Sequence, residues 1–144
     1  MPYSYTYPRP AVTVDCIILA GKEKQNYKVV LIKRLNPPYK GKWAFPGGFV
    51  DIDEDLLPAA KRELEEETGL RIEQLSQFKA YGKVDRDPRG RTITIVYLGF
   101  INEITPLRAK SDAKEAQWFD LKSLPPLAFD HEEILKDFKR IKFC

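Results

Sequence analysis

The chain has 144 residues, 43% of them hydrophobic and 31% charged, the size and balance of one compact domain able to bury roughly two-thirds of its unfolded surface without staples. Its 24 Lys and Arg against 21 Asp and Glu leave +3, too small an excess to mark a polyanion-binding surface, so no nucleic-acid partner is expected. No apolar run approaches the roughly 20 residues of a membrane helix, residues 1–10 lack a signal-peptide core, and Cys16 and Cys144 form no disulfide framework, so the expectation is a cytoplasmic domain without membrane contact.

Residues 1–10 hold three Pro and three Tyr and read as an extended arm that packs aromatic rings onto another surface. Ala11–Ala20 is aliphatic and β-branched with Asp15 its only charge, a mostly buried strand that carries Cys16 as a buried thiol. After a polar turn, Tyr27–Arg34 forms a second strand that pairs with the first and ends at Asn36-Pro37-Pro38. Residues 43–50 (WAFPGGFV) contain a Pro and a Gly-Gly pair, so a sharp turn interrupts them. Asp55 is placed as N-cap of a helix from Leu56 to about Thr68, Gly69 follows as its left-handed end, and Leu57, Ala60 and Leu64 form the stripe expected to face the core. Further strands are expected at Phe78–Val84, Thr92–Glu103 and Gln117–Leu121, with a tight turn at Asp87-Pro88-Arg89-Gly90. A closing helix over Asp130–Phe143 has Asp130 as its cap, His131 as an exposed residue, and Ile134, Leu135, Phe138 and Ile141 as its apolar face. The whole chain, 1–144, reads as a single mixed α/β domain.

The chemistry concentrates in the first helix. Glu63, Glu65, Glu66 and Glu67 crowd its last turns, where the helix dipole is already negative and like charges repel. At about 100° per residue Glu63, Glu66 and Glu67 project from neighbouring directions while Glu65 points away. Such an oxygen-rich cluster suits a hard divalent cation, and its bland counterpart is a solvated acidic face partnered by Lys61 and Arg62.

The larger pattern decides between them: Gly48, five residues, Glu54, seven residues, then Arg62-Glu63-Leu64-Glu65-Glu66-Glu67-Thr68-Gly69-Leu70. It resembles the Nudix box, the loop-helix-loop signature of the Nudix hydrolases, at every defined position including the aliphatic places Leu64 and Leu70. The resemblance implies an α/β/α sandwich with a mixed central sheet and an enzyme in which water attacks a phosphorus of a nucleoside diphosphate linked to another group. It also implies Mg²⁺ or Mn²⁺ held by Glu63, Glu66 and Glu67, with the Gly47 carbonyl as a further ligand. Arg62 would orient a Glu through a charge-assisted hydrogen bond, and Glu54 would be another ligand or a partner of Arg62. The general base stays open among Glu63, Asp112 and Glu115. The last two lie in the loop before Trp118, and Glu115 is weakly favoured over Asp112 as an acid outside the metal cluster.

Outside the box, Asp85-Arg86-Asp87-Pro88-Arg89-Gly90 and Leu127-Ala128-Phe129-Asp130-His131 look like the branch that holds ADP-ribose pyrophosphatases and ADP-ribose-sensing regulators. Arg34, Arg86 and Arg89 are the candidates for substrate phosphates or the terminal ribose, with plain solvation as the ordinary alternative. The expected reaction is therefore cleavage of ADP-ribose to AMP and ribose 5-phosphate. A hydrolase of oxidised nucleoside triphosphates or dinucleoside polyphosphates is the second reading, and a non-catalytic sensor the third, less expected because the carboxylates are complete and 144 residues leave no room for a DNA-binding module. The aromatic arm and the branch resemblance are compatible with a homodimer.

Overall fold

The computed structural model describes residues 2–109 and 115–143, which leaves Asp112 and Cys144 outside the described residues. In chain order the elements are β1 (Ala11–Ala20), a short 3-10 turn (Lys24–Asn26), β2 (Lys28–Lys33), β3 (Trp43–Ala44), β4 (Gly47–Phe49), α1 (Leu56–Thr68), β5 (Ser76–Tyr81), β6 (Thr92–Ile101), β7 (Glu115–Asp120) and α2 (His131–Lys142). One mixed sheet runs β3-β2-β1-β6-β5, with β4 added to β1 and β7 to β2. Its spine is the parallel pair β1 and β6, in register from Ala11↔Thr92 to Ala20↔Ile101, and the other pairings are antiparallel.

Both faces of this spine are covered, which is why β1 reads as a nearly continuous apolar run. Its side chains alternate between two cores. Val14, Cys16 and Ile18 pack with Val30, Ala59, Ala60, Leu64 and Tyr97 beneath α1. Ile17 and Leu19 pack with Val29, Leu31, Phe45, Val96, Ile134, Leu135 and Phe138 beneath α2. Period two then puts Asp15 on the α2 face, where its carboxylate meets α2 and β6 rather than α1. Cys16, buried on the opposite face, directs its thiol to the Ala60 carbonyl.

The helix from Leu56 to Thr68 has the bounds its sequence signals predict, and Gly69 takes the left-handed conformation at φ 79°, its N–H bonded to the Glu65 carbonyl. Several details differ from expectation. Asp55 stands at the N-cap without a side-chain bond, since Pro58 occupies the place of one N–H that a cap would take. Leu57 is half-exposed, and Ala59 joins Ala60 and Leu64 in the buried stripe instead. Ile141 is also half-exposed, three residues beyond the fully buried Phe138. β5 begins and ends earlier than expected and carries a bulge between Gln77 and Lys79, while β6 and β7 each stop short of their expected ends. In the arm, Tyr3 stacks on Tyr5 at 6.4 Å and Arg9 covers the Tyr5 ring, leaving Tyr3 and Tyr7 well exposed.

Phe138 is fully buried where β5, β6 and α2 meet. Phe138→Ala is expected to lower the unfolding free energy by about 3–5 kcal/mol, whereas Leu57→Ala should cost under about 1 kcal/mol. Urea unfolding of the two variants checks this, and equal losses would contradict the burial assigned to Leu57.

Candidate active site

Residues 47–55 link β4 to α1 and are held against the helix by one guanidinium. Arg62 donates from Nε and Nη2 to the two oxygens of Glu54 at 2.6 and 2.8 Å, and from Nη2 to the Phe49 carbonyl at 3.3 Å. Its Nη1 donates to Glu63 at 2.7 Å and to Glu66 at 3.3 Å. The Glu54 hydrogen bonds hold that carboxyl down at about 2, and the same bonds raise Arg62 further above its ordinary value. Glu67, buried on the next face, accepts the Gly47 N–H at 2.8 Å. Glu65 points away to Arg71, as helical geometry predicts. A Cβ at Gly48 would come within 2.6–2.7 Å of the Glu63 carboxylate, so a larger residue there would displace that carboxylate from its place beside β4.

Glu63, Gly47, Gly48 and Asp51 form one wall of a cavity of about 410 Å³. Its other walls bring together residues scattered along the chain, among them Asp15, Arg34, Phe49, Arg86, Arg89, Phe129 and His131. Arg34 and Arg89 both lie against Phe129, with Cζ 5.0 and 5.3 Å from the ring centre, and Arg89 also covers Phe49 at 5.0 Å. Partial burial and then the charge of Arg89 push Arg34 below its ordinary pKa, as expected for two cations beside one ring. Each arginine is oriented: Arg34 donates to the Pro38 carbonyl at 2.7 Å, and Arg89 is gripped by Asp87 at 2.8 and 3.1 Å within the turn closed by Gly90 N–H to Asp87 O.

Arg86 also lines the cavity, but it is buried and gives Nε and Nη2 to Asp130 at 2.9 and 2.7 Å. This ion pair explains why Asp130 makes no helix cap. The reading of His131 as exposed is corrected here, because its side chain is 3% exposed, stacked on Phe45 and turned into the cavity. Sequence pattern missed Asp15, Phe129 and His131 as members of the site. The one usable signal was a lone charge inside an apolar strand, which needs a buried polar partner. Glu115 opens β7 opposite Lys33, is exposed, and is not among the residues that line the cavity.

Residues 9–138 match the family profile described as NUDIX domain. The chain belongs to the Nudix family. It is 51% identical over 138 residues to an ADP-ribose pyrophosphatase of Methanocaldococcus jannaschii, a match that takes in 94% of this chain and 77% of that protein. It is 37% identical to the ADPR responsive transcriptional repressor NtrR of Acinetobacter baylyi over 90% of its length, and there it spans only 53% of the relative. Among solved structures, the NUDIX domain of Shewanella oneidensis NrtR complexed with ADP ribose resembles it with a TM-score of 0.84 at 28% identity, covering 94% of this chain and 90% of that one.

Nudix chemistry implies a divalent cation, and the donor set here is of the right kind: carboxylate oxygens on α1 with the Gly47 backbone beside them, hard ligands for a hard ion. Among the described residues no three His, Cys, Asp or Glu side chains stand as a ready coordination shell, because Arg62 engages Glu54, Glu63 and Glu66 directly.

The Glu54 pairing has a pH signature. A carboxyl held at about 2 in the fold and near 4.5 when free stabilises the fold above about pH 4.5, and that contribution fades as pH falls toward 2. In chelator, Glu54→Gln should therefore be less stable than wild type at pH 7, with the gap narrowing between pH 4.5 and 3. A gap independent of pH, measured by urea midpoints, would contradict the ion pair.

Proposed function

We propose that the chain is a divalent-cation-dependent pyrophosphohydrolase that cleaves ADP-ribose with water to AMP and ribose 5-phosphate. The observation that carries this reading is the 51% identity to an ADP-ribose pyrophosphatase along 94% of the chain. The cavity supports it chemically. Carboxylates on one side and the paired guanidiniums of Arg34 and Arg89 on the other suit a diphosphate, and the rings of Phe129 and Phe49 offer flat apolar faces beside it. Glu63, Glu66 and Glu67, with the Gly47 carbonyl, are the groups we assign to Mg²⁺ or Mn²⁺, and Glu54, expected as a ligand or a partner of Arg62, we assign as that arginine's partner because both its oxygens accept from the guanidinium. Bound there, the cation neutralises phosphoryl charge and makes a coordinated water acidic.

The residues themselves bind and orient. Arg62 keeps Glu63 and Glu66 at the helix end against their mutual repulsion, Glu67 fixes the Gly47 amide, and Arg34 with Arg89 draws the diphosphate across the cavity. The attacking water gives up a proton to a carboxylate, its oxygen joins one phosphorus, and the bridging oxygen leaves on the other phosphate. Of the candidates for that base, Glu63 lines the cavity, which favours it over the exposed Glu115. We further assign the chain to the cytoplasm as one domain over residues 1–144, with the exposed aromatic arm as the surface for a homodimer. No helix among the described residues is long and apolar enough to cross a membrane.

A second reading, binding of ADP-ribose without cleavage, draws on the likeness to the ADP-ribose-bound NrtR domain. The two separate on turnover. With Mg²⁺, ADP-ribose is expected to yield AMP and ribose 5-phosphate with a higher kcat/KM than 8-oxo-dGTP, dATP or diadenosine polyphosphates. A tenfold advantage for any of these, about 1.4 kcal/mol of transition-state discrimination, would overturn the substrate. Retained binding with no product would establish the sensor instead.

The carboxylates give an independent check. Glu63→Gln, Glu66→Gln and Glu67→Gln should each lower kcat by orders of magnitude while melting near wild type. Glu115→Gln should keep its acidic limb in a plot of log kcat against pH. Loss of that limb would move the base to Glu115.

A further inference from the structure

On the α2 face of β1, Asp15 and His131 form a polar pair buried at the cavity wall, with side chains 11% and 3% exposed. Neither belongs to the box, and the mechanism above uses neither. The protonation pattern of the imidazole follows from its neighbours. The Phe45 N–H donates to His131 Nδ1 at 3.1 Å, so Nδ1 is bare and the ring proton sits on Nε2. Stacking on Phe45, with centroids 4.7 Å apart and planes 21° from parallel, fixes the ring's direction. Nε2 faces Asp15 Oδ2 at 3.7 Å, beyond hydrogen-bond reach.

The other side of this gap is equally defined. Thr94 donates to Asp15 Oδ2 at 2.6 Å, which leaves acceptor capacity on a carboxylate that can take about four hydrogen bonds. Burial alone would raise the Asp15 pKa, but His131, Thr94 and Arg86 outweigh it and keep the carboxyl below its ordinary value. A donor and an acceptor thus stand too far apart to satisfy each other and close enough for one small group to bridge them. An ammonium or a ring-conjugated amino group has no available lone pair to accept from Nε2–H, a carbonyl has nothing to give Asp15, and a phosphate oxygen is repelled by the carboxylate, so that besides water one kind of substrate group remains. A hydroxyl does both. Asp15 also abuts Gly47, where an added Cβ would lie 2.5 Å from Asp15 Oδ1, so the bridged hydroxyl sits beside the strand that carries the helix acids' backbone partner.

We propose that His131 and Asp15 together bind one ribose hydroxyl of the substrate, His131 Nε2–H donating to its oxygen and Asp15 accepting its proton in a hydrogen bond. The assignment rests on the ADP-ribose reading, in which both riboses are attached to the diphosphate and either brings hydroxyls close to it. It makes the pair a specificity determinant that separates ribose from deoxyribose. Neighbouring groups have other partners: Arg86 pairs with Asp130, and Arg34 and Arg89 are the groups assigned above to the diphosphate.

The test pairs a side-chain change with a ligand change. His131→Asn puts an amide oxygen near the place of Nδ1, able to accept from Phe45, and leaves nothing at Nε2. Wild type and variant are compared with ADP-ribose and with derivatives each lacking a single 2- or 3-hydroxyl on one of its riboses, by calorimetric Kd in chelator and by kcat/KM with Mg²⁺. Wild type should disfavour one derivative by about tenfold or more, since its loss strands a buried donor and acceptor. The variant should lose a similar factor on ADP-ribose and treat that derivative like the parent, and the derivative's identity tells which ribose is held. Equal loss on the parent and every derivative, or a wild type indifferent to all of them, overturns the assignment.

If His131→Asn melts early, His131→Gln is read instead. Its amide nitrogen reaches the Nε2 position, so retained discrimination supports the pair and uniform loss overturns it. Wild type that binds ADP-ribose without cleaving it overturns only the enzymatic reading, and the comparison is then read in Kd. Wild type that does not bind ADP-ribose at all overturns both.

Discussion

The Arg62 guanidinium is the contact on which the acidic end of this molecule depends. Four glutamates within five residues at the C-terminal end of a helix oppose both one another and the helix dipole. Arg62 offsets this by spreading five donors over Glu54, Glu63, Glu66 and the Phe49 carbonyl. The same contacts tie residues 47–55 to the helix, so charge neutralisation and loop placement are one act. A lysine could neutralise one acid at a time but could not fork across the loop and the helix together. The arrangement is also poised: a cation that drew Glu63 and Glu66 away would leave Arg62 anchored to Glu54 by two short bonds.

The sheet supplies the second half of the site through simple alternation. Because β1 is covered on both faces, each of its residues is committed to one core or the other, and a shift of one residue would bury Asp15 under α1 among aliphatic side chains. In the observed register Asp15 meets Thr94 from β6 and His131 from the start of α2. Sequence separations of 79 and 116 residues are thereby closed by a single strand pairing and one helix docking. Burial that would be costly for an isolated carboxylate becomes tolerable because each neighbour offers a proton or positive charge.

What could be read from the chain alone follows the same division between local and distant causes. The bounds of α1, the turn at Gly69 and the Glu63, Glu66 and Glu67 face are set by capping, handedness and a 3.6-residue period, all of which operate within a few positions. The direction of Glu65 away from the others is likewise local. The partnership of Asp130 with Arg86, by contrast, looks like a helix cap until the turn before β6 folds against α2. His131 reads as an exposed polar residue because nothing near it in sequence announces Phe45 or Asp15. The exposure of Leu57, with Ala59 buried in its stead, likewise depends on how α1 is set on the sheet, which periodicity alone does not register.

The cavity that results brings acidic, basic and aromatic side chains together. In the reading proposed above, the diphosphate is recognised where Arg34, Phe129, Arg89 and Phe49 bring cations and rings together. Phe129 is the pivot, its backbone held at φ 53°, a conformation costly for a phenylalanine, with Tyr39 packed edge-on at 4.9 Å. That wall needs no carboxylate cluster to bind a nucleoside diphosphate. In the same reading the chemistry belongs to Glu63, which lines the same cavity beside the Gly47-Gly48 backbone. A fold built this way can keep its ligand while losing its reaction, since substitution at the acidic wall leaves the arginine and aromatic wall intact. It is much less able to keep its reaction while losing its ligand, because the acids gain their transition-state advantage only on a diphosphate already held in place. In the reading proposed above, it is therefore the acidic set, present beside the arginines and rings of the same cavity, that distinguishes a hydrolase from a receptor.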